Sequence, residues 1–362
     1  MKAICFFLPQ YHPIPENDEW WGPGFTEWRN VTRVGPLFHG HYQPHRPADL
    51  GFYDLRLPET RQYQAKLATQ YGISGFCYYH YWFQGKRLLE RPITEVLNTG
   101  EPNFPFCLCW ANENWTRRWD GKNQEILIEQ TYSESDDESH FNSLLPYFRD
   151  NRYIKVSGRP LFLVYRSTFL PNARQTTALW RSLAQRSGLP GLYLVKCESI
   201  PAERVSPPSN DGFDAALDFQ PDWSSFPHRL QPSLPWRVLN RLRLAPSHPF
   251  RQNSIFSYSD FVDTMINRPK VNYPRIPSVV PSWDNYSRRS NGGAVILHES
   301  SPECYENWLT YVVNDSETFS HLPEPMVFIN AWNEWAEGNH LEPDLRWGRA
   351  YLEATSKVLA KA

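Results

Sequence analysis

Two glutamates stand three residues apart in an aromatic segment near the carboxyl end of this 362-residue chain. Glu334 and Glu337 follow the apolar run Pro325–Asn330, which is typical of a buried strand. If the turn is helical, side chains three residues apart point to the same side. Glycoside cleavage needs two carboxyl groups, one to donate a proton and one to accept a proton or attack. These two glutamates are therefore the candidate catalytic pair, although a helix cap and a structural ion pair with an arginine remain the alternative.

A second polar and aromatic segment, Trp110–Gly121, follows another apolar run. Asparagine and glutamate can bind neighbouring sugar hydroxyls, and tryptophan can stack on the apolar face of a sugar ring. Glu113 is also a rival for one catalytic role, unless Arg117 or Arg118 merely holds it in an ion pair. The candidate substrate-binding residues here are Trp110, Asn112, Glu113 and Trp115.

Other candidate sugar-binding residues stand at the ends of three further apolar runs and of the run that precedes the glutamates. Each one alone is about as typical of core packing as of substrate contact. Their repetition at the same end of successive strands favours a binding face. No H-E-x-x-H spacing is present, so neither a catalytic metal nor any other cofactor is expected. These candidates are Tyr11, His80, Trp82, Trp283, Asp284, Trp332 and Asn333.

Eight short apolar runs must position these residues. Most lack strict alternation, as expected for strands covered on both faces, and helical patterns fall between them. The pattern predicts an α/β fold, a single (β/α)8 TIM barrel over residues 1–362 with its site at the carboxyl ends of the strands. The runs are Ala3–Leu8, Ile73–Tyr79, Phe104–Trp110, Pro160–Tyr165, Leu192–Cys197, Phe213–Phe219, Ile276–Pro281 and Pro325–Asn330.

Two connections are unusually long: Pro9–Arg56 after strand one and Pro221–Phe256 after strand six. Long connections in a compact domain are usually functional. From Trp223 to Phe256 the second connection has no acidic residue. It predicts either a surface helix packed on the barrel or a basic flap that contacts an acidic glycan or membrane headgroups. Its arginines are Arg229, Arg237, Arg241, Arg243 and Arg251.

Composition narrows the partners and the compartment. A net charge of −2 gives no sign of a nucleic-acid partner. The aromatic content of 15%, with 15 Trp, fits either a large core or carbohydrate binding. The six cysteines form no C-x-x-C pair, and five lie in apolar runs, so neither disulfides nor zinc is expected. With no apolar stretch near ~20 residues and no secretory signal, a cytoplasmic location is expected.

Several segments together resemble the WbsX-like family, whose members are often labelled glycosyltransferases of polysaccharide biosynthesis. That family is similar in turn to glycoside hydrolase family 99, the endo-α-mannosidases and endomannanases. The resemblance is carried by FFLPQYHPIPENDEWWGPGFTEW, HYQPHRPADLGFYDLR, GFCYYHYWF, CWANENWTRRWDG, PSWDN and NAWNEWAEGNHLEPD.

The resemblance implies roles for both glutamates. Family 99 enzymes carry Glu-Trp-x-Glu-Gly at the corresponding place, which makes Glu334 the general base and Glu337 the general acid. The implied reaction retains configuration: the sugar 2-hydroxyl attacks its own anomeric carbon and forms a 1,2-anhydro intermediate. Around Pro221–Phe256 the match is loose, so mannoside specificity does not carry over.

Three functions follow as hypotheses. The first is a retaining endo-acting glycosidase or transglycosidase on an α-linked glycan, such as a mannose-containing or bacterial surface polysaccharide. The second is a sugar-nucleotide glycosyltransferase of O-antigen or capsular polysaccharide synthesis, although no D-x-D or G-x-G-x-x-G motif is present. The third is a non-catalytic carbohydrate-binding barrel, which the retention of both glutamates disfavours.

Overall fold

The computed structural model describes residues 1–117, 122–232, 249–289 and 291–361. Eight parallel strands, one for each apolar run, follow one another around a barrel, and β8 pairs with β1. The predicted (β/α)8 barrel is thereby confirmed. The strands are β1 (Lys2–Phe7), β2 (Gly75–Phe83), β3 (Phe106–Trp110), β4 (Arg159–Val164), β5 (Tyr193–Cys197), β6 (Ala215–Leu217), β7 (Arg275–Ile276 and Ser278–Val279) and β8 (Met326–Ile329).

The seventh strand changes its partner midway. Its first segment, Arg275–Ile276, pairs with β6, and its second, Ser278–Val279, pairs with β8. Pro277 lies between the segments and has no N–H to donate to a neighbouring strand. The ring of strands is therefore completed through two short, separate contacts.

Helices lie between most consecutive strands, as the helical patterns between the apolar runs predict. The connection from β5 to β6 differs, because it makes two 3₁₀ turns, Pro201–Arg204 and Pro208–Asp211, and no α-helix. The helices are α1 (Pro15–Trp21), α2 (Glu27–Thr32), α3 (Pro58–Gln70), α4 (Arg91–Thr99), α5 (Glu134–Arg149), α6 (Ala173–Arg186), α7 (Pro249–Gln252), α8 (Tyr258–Asn267), α9 (Pro302–Val313), α10 (Ser316–Ser320) and α11 (Ala350–Leu359).

Short strands outside the barrel shape the connections at its rim. Two hairpins lie near the carboxyl ends of β2 and β3, and a three-stranded sheet joins the connections after β6 and β7. These short strands are Lys86–Leu88, Trp115–Arg117, Lys122–Ile128, Lys155–Val156, Ser254–Ser257, Trp283–Asp284, Val295–His298, Asn333–Glu334 and Asn339–His340.

Local sequence signals fix where several helices begin. The Ser133 side chain accepts a hydrogen bond from the Asp136 N–H at the start of α5, and the Ser301 side chain accepts one from the Cys304 N–H at the start of α9. Such caps satisfy N–H groups that have no partner within the helix. The capped helices then pack their apolar faces on the strands.

Alternate residues of a strand face the barrel interior and the helical layer. Phe6 of β1 points inward, where its ring lies 5.4 Å from Tyr79 and 5.1 Å from Phe219. Phe328 of β8 lies 5.5 Å from the same ring. The interior is thus filled by side chains from several strands, and a residue's position along the strand decides which side it reaches.

Two expectations about composition can be compared with the structure. All six cysteines are free, and the five on apolar runs are buried. Among the described residues, no helix is both long enough and apolar enough to cross a membrane.

The predicted basic flap falls largely on residues 233–248. Arg237, Arg241 and Arg243 lie outside the described residues. Of the remaining arginines in this connection, Arg229 donates a hydrogen bond of 2.6 Å to the carbonyl oxygen of Asn253. The flap and its acidic or membrane partner therefore stay a prediction.

Candidate active site

A cavity of about 430 Å³ opens at the carboxyl ends of the strands. Barrel enzymes build their sites on this face. Its lining combines carboxyl groups, arginines and aromatic rings, the mixture that a polar ligand with apolar faces needs. Among the lining residues are Gln10, Trp21, Tyr79, Tyr81, Glu113, Trp115, Tyr165, Arg166, Phe219, Trp223, Trp283, Arg288, Arg289, Asn330, Glu334 and Glu337.

The two predicted glutamates lie on a tight turn after β8. Asn333–Glu334 pairs in antiparallel fashion with Asn339–His340, and Trp335–Glu337 between them is a 3₁₀ turn. Gly338 ends this turn with a φ of 56°. A Cβ at this position would lie 3.0 Å from the Cβ of Asp284. The turn that brings both carboxyl groups to the cavity thus requires glycine here.

Buried hydrogen bonds fix this turn to the amino-terminal part of the chain. Asn333 accepts from the Leu8 N–H at 2.7 Å and donates to the Leu8 carbonyl at 3.0 Å. The Tyr11 hydroxyl donates to the Asn333 carbonyl at 2.7 Å and accepts from the Trp335 N–H at 3.1 Å. Tyr11 and Asn333, predicted to bind substrate, do not line the cavity. Their contacts position the glutamates.

One arginine joins three carboxylates at the cavity wall. Arg288, four residues after Asp284, contacts Glu334 through Nη2 at 2.9 Å and Glu337 through Nη1 at 2.6 Å. Its Nε contacts Glu27 of α2 at 3.1 Å. All three carboxylates therefore share one guanidinium, and the two predicted catalytic groups lie close to each other on it.

This charge balance affects protonation. Burial raises the pKa of Glu334 to about 8, and Glu337 and Glu27 add to the rise while Arg288 opposes it. Burial likewise raises the pKa of Glu337. Since burial and the neighbouring carboxylates outweigh Arg288 and Arg289, the Glu334–Glu337 pair keeps a proton near neutral pH. One carboxyl group can then donate a proton while the other accepts one.

A second arginine organises the opposite wall. Arg166, which follows β4, donates from Nε to Glu113 at 3.0 Å and from Nη1 to the buried Glu203 at 2.8 Å. Its guanidinium also lies 4.1 Å from the centroid of the Tyr165 ring. Glu113 thus lines the cavity, where its arginine partner is Arg166, and its role in sugar binding stays a prediction.

Aromatic rings form the remaining walls. Trp115 stands on the hairpin after β3, with its ring 5.6 Å from Trp20 and 5.1 Å from Tyr81. Trp283 meets the ring of Trp223 edge-on at 5.4 Å. Both Trp115 and Trp283 were predicted as stacking surfaces, and both line the cavity.

Three other predicted residues point away from it. His80 and Trp82 of β2 contact His140 of α5: the two histidine Nε2 atoms lie 2.9 Å apart, and the indole stacks at 4.9 Å. Trp110 of β3 meets Trp180 of α6 edge-on at 6.0 Å. These side chains fill the layer between strands and helices, because they occupy the outward positions of their strands.

The last three predicted residues also lie outside the lining. Asn112 is fully buried and ties the connection after β3 to β4, accepting from the Arg166 N–H at 2.8 Å. Asp284 lies 2.7 Å from the Nε2 of His41. Trp332 is buried against Phe76, with ring centroids 5.0 Å apart.

One group among the described residues brings three metal-ligating atoms within 4.8 Å of one another: His45, His340 and Asp344. The His45 Nδ1 and His340 Nε2 atoms are 2.8 Å apart, a hydrogen-bond distance. His340 Nδ1 lies 2.9 Å from the Glu342 carbonyl oxygen. Hydrogen bonding accounts for this geometry, and the group lies outside the cavity lining.

Several residues that line the cavity or contact its lining were missed from the sequence. Arg288 and Glu27 are far apart in the chain. The sequence indicated them only through their position in connections that follow the carboxyl ends of strands. Tyr79, Tyr81 and Arg166 had a better signal. Tyr79 and Tyr81 alternate with outward-facing residues of β2, at positions where the two-residue period of a strand predicts the interior. Arg166 follows the carboxyl end of β4, next to the cavity-lining Tyr165.

Comparisons with known proteins show the family of the chain and its fold. Residues 3–355 match the family described as glycosyltransferase WbsX. The chain is 46% identical over 359 residues to the uncharacterized protein WxcX of Xanthomonas campestris pv. campestris, strain B100. The alignment covers 99% of this chain and 50% of that protein, so the chain spans about half the length of the curated relatives it matches.

Solved structures show the same fold. The GH99 endo-alpha-mannosidase from Bacteroides thetaiotaomicron superposes with a TM-score of 0.57 at 13% identity, covering 99% of this chain and 96% of that one. A structure described as a glycoside hydrolase-like protein gives a TM-score of 0.57 at 13% identity, with coverages of 99% and 93%. At such low identity these matches concern the fold.

Proposed function

Because the chain belongs to the WbsX glycosyltransferase family and folds like an endo-α-mannosidase of glycoside hydrolase family 99, we propose that it is a retaining enzyme acting on an α-linked glycan. The substrate class is an oligosaccharide or polysaccharide, cleaved within the chain and with water or a second sugar as acceptor. A bacterial surface polysaccharide, with or without mannose, fits the family. The observation that carries the proposal is the buried Glu334–Glu337 pair, bound to one arginine at the cavity.

The proposed first step uses the substrate's own 2-hydroxyl. Glu334 accepts the hydroxyl proton while O2 attacks C1, and the bond from C1 to the leaving oxygen breaks. Glu337 protonates that oxygen. The step needs one proton on the pair, a state that burial favours and that the shared arginine opposes only in part. Glu337 is the more exposed of the two, with 19% of its side chain accessible against 6% for Glu334, which suits contact with the leaving group.

The second step reverses these roles. Glu337 accepts a proton from water or an acceptor hydroxyl, whose oxygen attacks C1 of the 1,2-anhydro sugar. The C1–O2 bond opens, and Glu334 returns the proton to O2. Two inversions at C1 leave the configuration retained. Trp115 and Trp283 would stack on rings of the bound chain.

The test is turnover by matched variants. Glu334→Gln and Glu337→Gln keep the side-chain volume but remove acid–base function, and each should lose ~10²–10⁴-fold or more in kcat. A panel of α-linked oligosaccharides and their 2-deoxy-2-fluoro analogues, followed by NMR, gives both rate and anomeric configuration. Near-wild-type turnover by either variant would contradict the pair assignment. Rapid turnover of the 2-fluoro analogue would contradict participation by the 2-hydroxyl.

The family description favours transfer as a second candidate. The same two glutamates could open the intermediate with an acceptor hydroxyl, so hydrolase and transferase differ only in what attacks C1. A transferase that uses sugar nucleotides would require a diphosphate site as well. Calorimetry with common sugar nucleotides distinguishes these routes, because micromolar binding would favour the nucleotide-dependent enzyme.

A further inference from the structure

We infer that Glu27 and Arg288 are positioning residues: Arg288 holds both carboxyl groups of the Glu334–Glu337 pair, and Glu27 aims Arg288 and supplies a third negative charge. This inference rests on the proposed function, since it assigns partners to the proposed acid and base. It goes further by naming a residue on the long first connection that controls where the proton sits.

The geometry is that of a fixed clamp. Arg288 uses Nε for Glu27, Nη2 for Glu334 and Nη1 for Glu337, so each nitrogen of the planar guanidinium has its own carboxylate. A guanidinium presents its donors in a rigid plane, and three simultaneous contacts therefore leave it little freedom to rotate. The two reactive carboxyl groups are held in one relative position by a single side chain.

The position of Glu27 is fixed by burial, hydrogen bonds and the packing of its helix. Its side chain is fully buried, and its backbone N–H donates to the Gln10 carbonyl at 3.2 Å. The next residue, Trp28, donates from its indole N–H to the Tyr53 carbonyl at 2.7 Å and lies 5.7 Å from Trp335 on the glutamate turn. The helix that carries Glu27 is thus packed directly on the element that carries the pair.

The charges explain why a third carboxylate matters. Arg288 alone would favour the ionised form of both glutamates and so remove the proton that the acid needs. Glu27 offsets part of that positive charge, and its own negative charge disfavours ionisation of its neighbours. The other titratable groups facing the pair are Tyr11, Tyr79, Tyr81, Tyr165 and Arg289; burial raises the pKa of the four tyrosines, so they stay neutral.

The Arg166 cluster offers a matched control within the same chain. Glu203 is also fully buried and pairs with an arginine, Arg166, that binds a carboxylate of the cavity wall, Glu113. Glu203→Gln therefore removes a comparable buried charge without touching Arg288. Any general effect of losing a buried carboxylate should appear in both variants.

The experiment follows the protonation of the pair directly and needs no substrate. The full chain is labelled with ¹³C at glutamate carboxyl groups, and the Glu334 and Glu337 signals, assigned with their Gln variants, are followed by NMR over pH 4–10. Glu27→Gln should lower the titration midpoint of the pair by about 1 pH unit. Glu203→Gln should leave it in place, and Arg288→Gln should raise it.

An unchanged midpoint in Glu27→Gln, or equal shifts in Glu27→Gln and Glu203→Gln, would overturn the inference. If Glu27→Gln does not fold, Arg288→Lys decides, because it keeps the charge but loses the three-way contact and should raise the midpoint of at least one glutamate. No change there also overturns it. Since turnover is not measured, the inference can fail while the proposed activity stands, and the reverse.

Discussion

The inner and outer faces of β2 contain the same kinds of residue but do different work, and Trp110 of β3 lies beside His80 on the outer face. On the inner face, Tyr79 and Tyr81 line the cavity. On the outer face, His80 and Trp82 pack on His140 and are covered by α5. A step of one residue along the strand therefore separates a cavity-lining ring from a core ring. Residue type cannot distinguish the two faces, whereas the position along the strand can.

The largest effect expected from this comparison concerns stability on the outer face. Trp110→Ala removes a fully buried ring that contacts Trp180 and His140. Loss of such a ring should cost ~3–5 kcal/mol in the free energy of unfolding. Chemical denaturation measures this loss. The folded fraction should bind glycan as the wild type does, and a variant that stays as stable as the wild type would place Trp110 outside the core.

The outer face of β2 and the glutamate turn at the cavity should also differ in their response to pH. Burial lowers the pKa of His80 from 6.5 to about 3, so the folded state resists protonation and stability is lost as pH falls below 6.5. Burial raises the pKa of Glu334 from 4.5 to about 8, so the folded state binds this proton more tightly than the unfolded state does. The resulting contribution to the free energy of unfolding is present below pH 4.5 and is lost as pH rises towards 8. Each slope should approach 1.4 kcal/mol per pH unit at most.

Denaturation at a series of pH values tests this contrast. His80→Gln should flatten the acid side of the stability profile and leave the alkaline side unchanged. Glu334→Gln should reduce the loss of stability that accompanies a rise in pH from 5 to 8. If both variants changed the same side, the two faces would not titrate as their burial indicates.

A smaller effect is expected for an inner ring. Trp115 is half-buried and lines the cavity, so Trp115→Ala should weaken glycan binding by ~1–2 kcal/mol, or about tenfold, through lost stacking. The fall in stability should be well below that of Trp110→Ala. Calorimetry with the glycan that the wild type turns over gives the affinity. Unchanged affinity with a large loss of stability would make Trp115 a core residue.

The smallest effect concerns a polar contact on the outer face. The Trp82 indole N–H lies 3.1 Å from both carboxylate oxygens of Asp136, in the first turn of α5. Asp136→Asn keeps an acceptor but removes a charge that favours the helix amino terminus, and should cost ~0.3–1 kcal/mol. Trp82→Phe provides the matched loss of the donor. Turnover should not change in either variant.

These contrasts show why the barrel could be predicted while much of the site could not. Each strand is a short apolar run, and burial on both faces leaves that signal in the local sequence. The run GFCYYHYWF, however, is aromatic on both faces, so neither face of β2 stands out as the inner one. Choosing residues by their closeness to a strand end therefore selected His80 and Trp82 and passed over Tyr79.

The charge cluster was hidden for a different reason. Glu334 and Glu337 are neighbours in the sequence, so their pairing is a local signal. Glu27 and Arg288 are 261 residues apart and meet only because the first connection folds over the barrel mouth. A contact of that range depends on the packing of α2 against the glutamate turn, which no local pattern records.

Along the divided seventh strand, the barrel is joined only by two short, separate pairings, and we call this line the seam. Two register pairs join Arg275–Ile276 to β6, and two join Ser278–Val279 to β8. Amides along this line should exchange with solvent earlier than those of β2–β4, where the strand pairing is more extensive. Arg288 follows the second segment, on the same side of the seam as the glutamate turn. Local opening between the two segments would therefore leave the two carboxyl groups and their arginine together on one side of the seam.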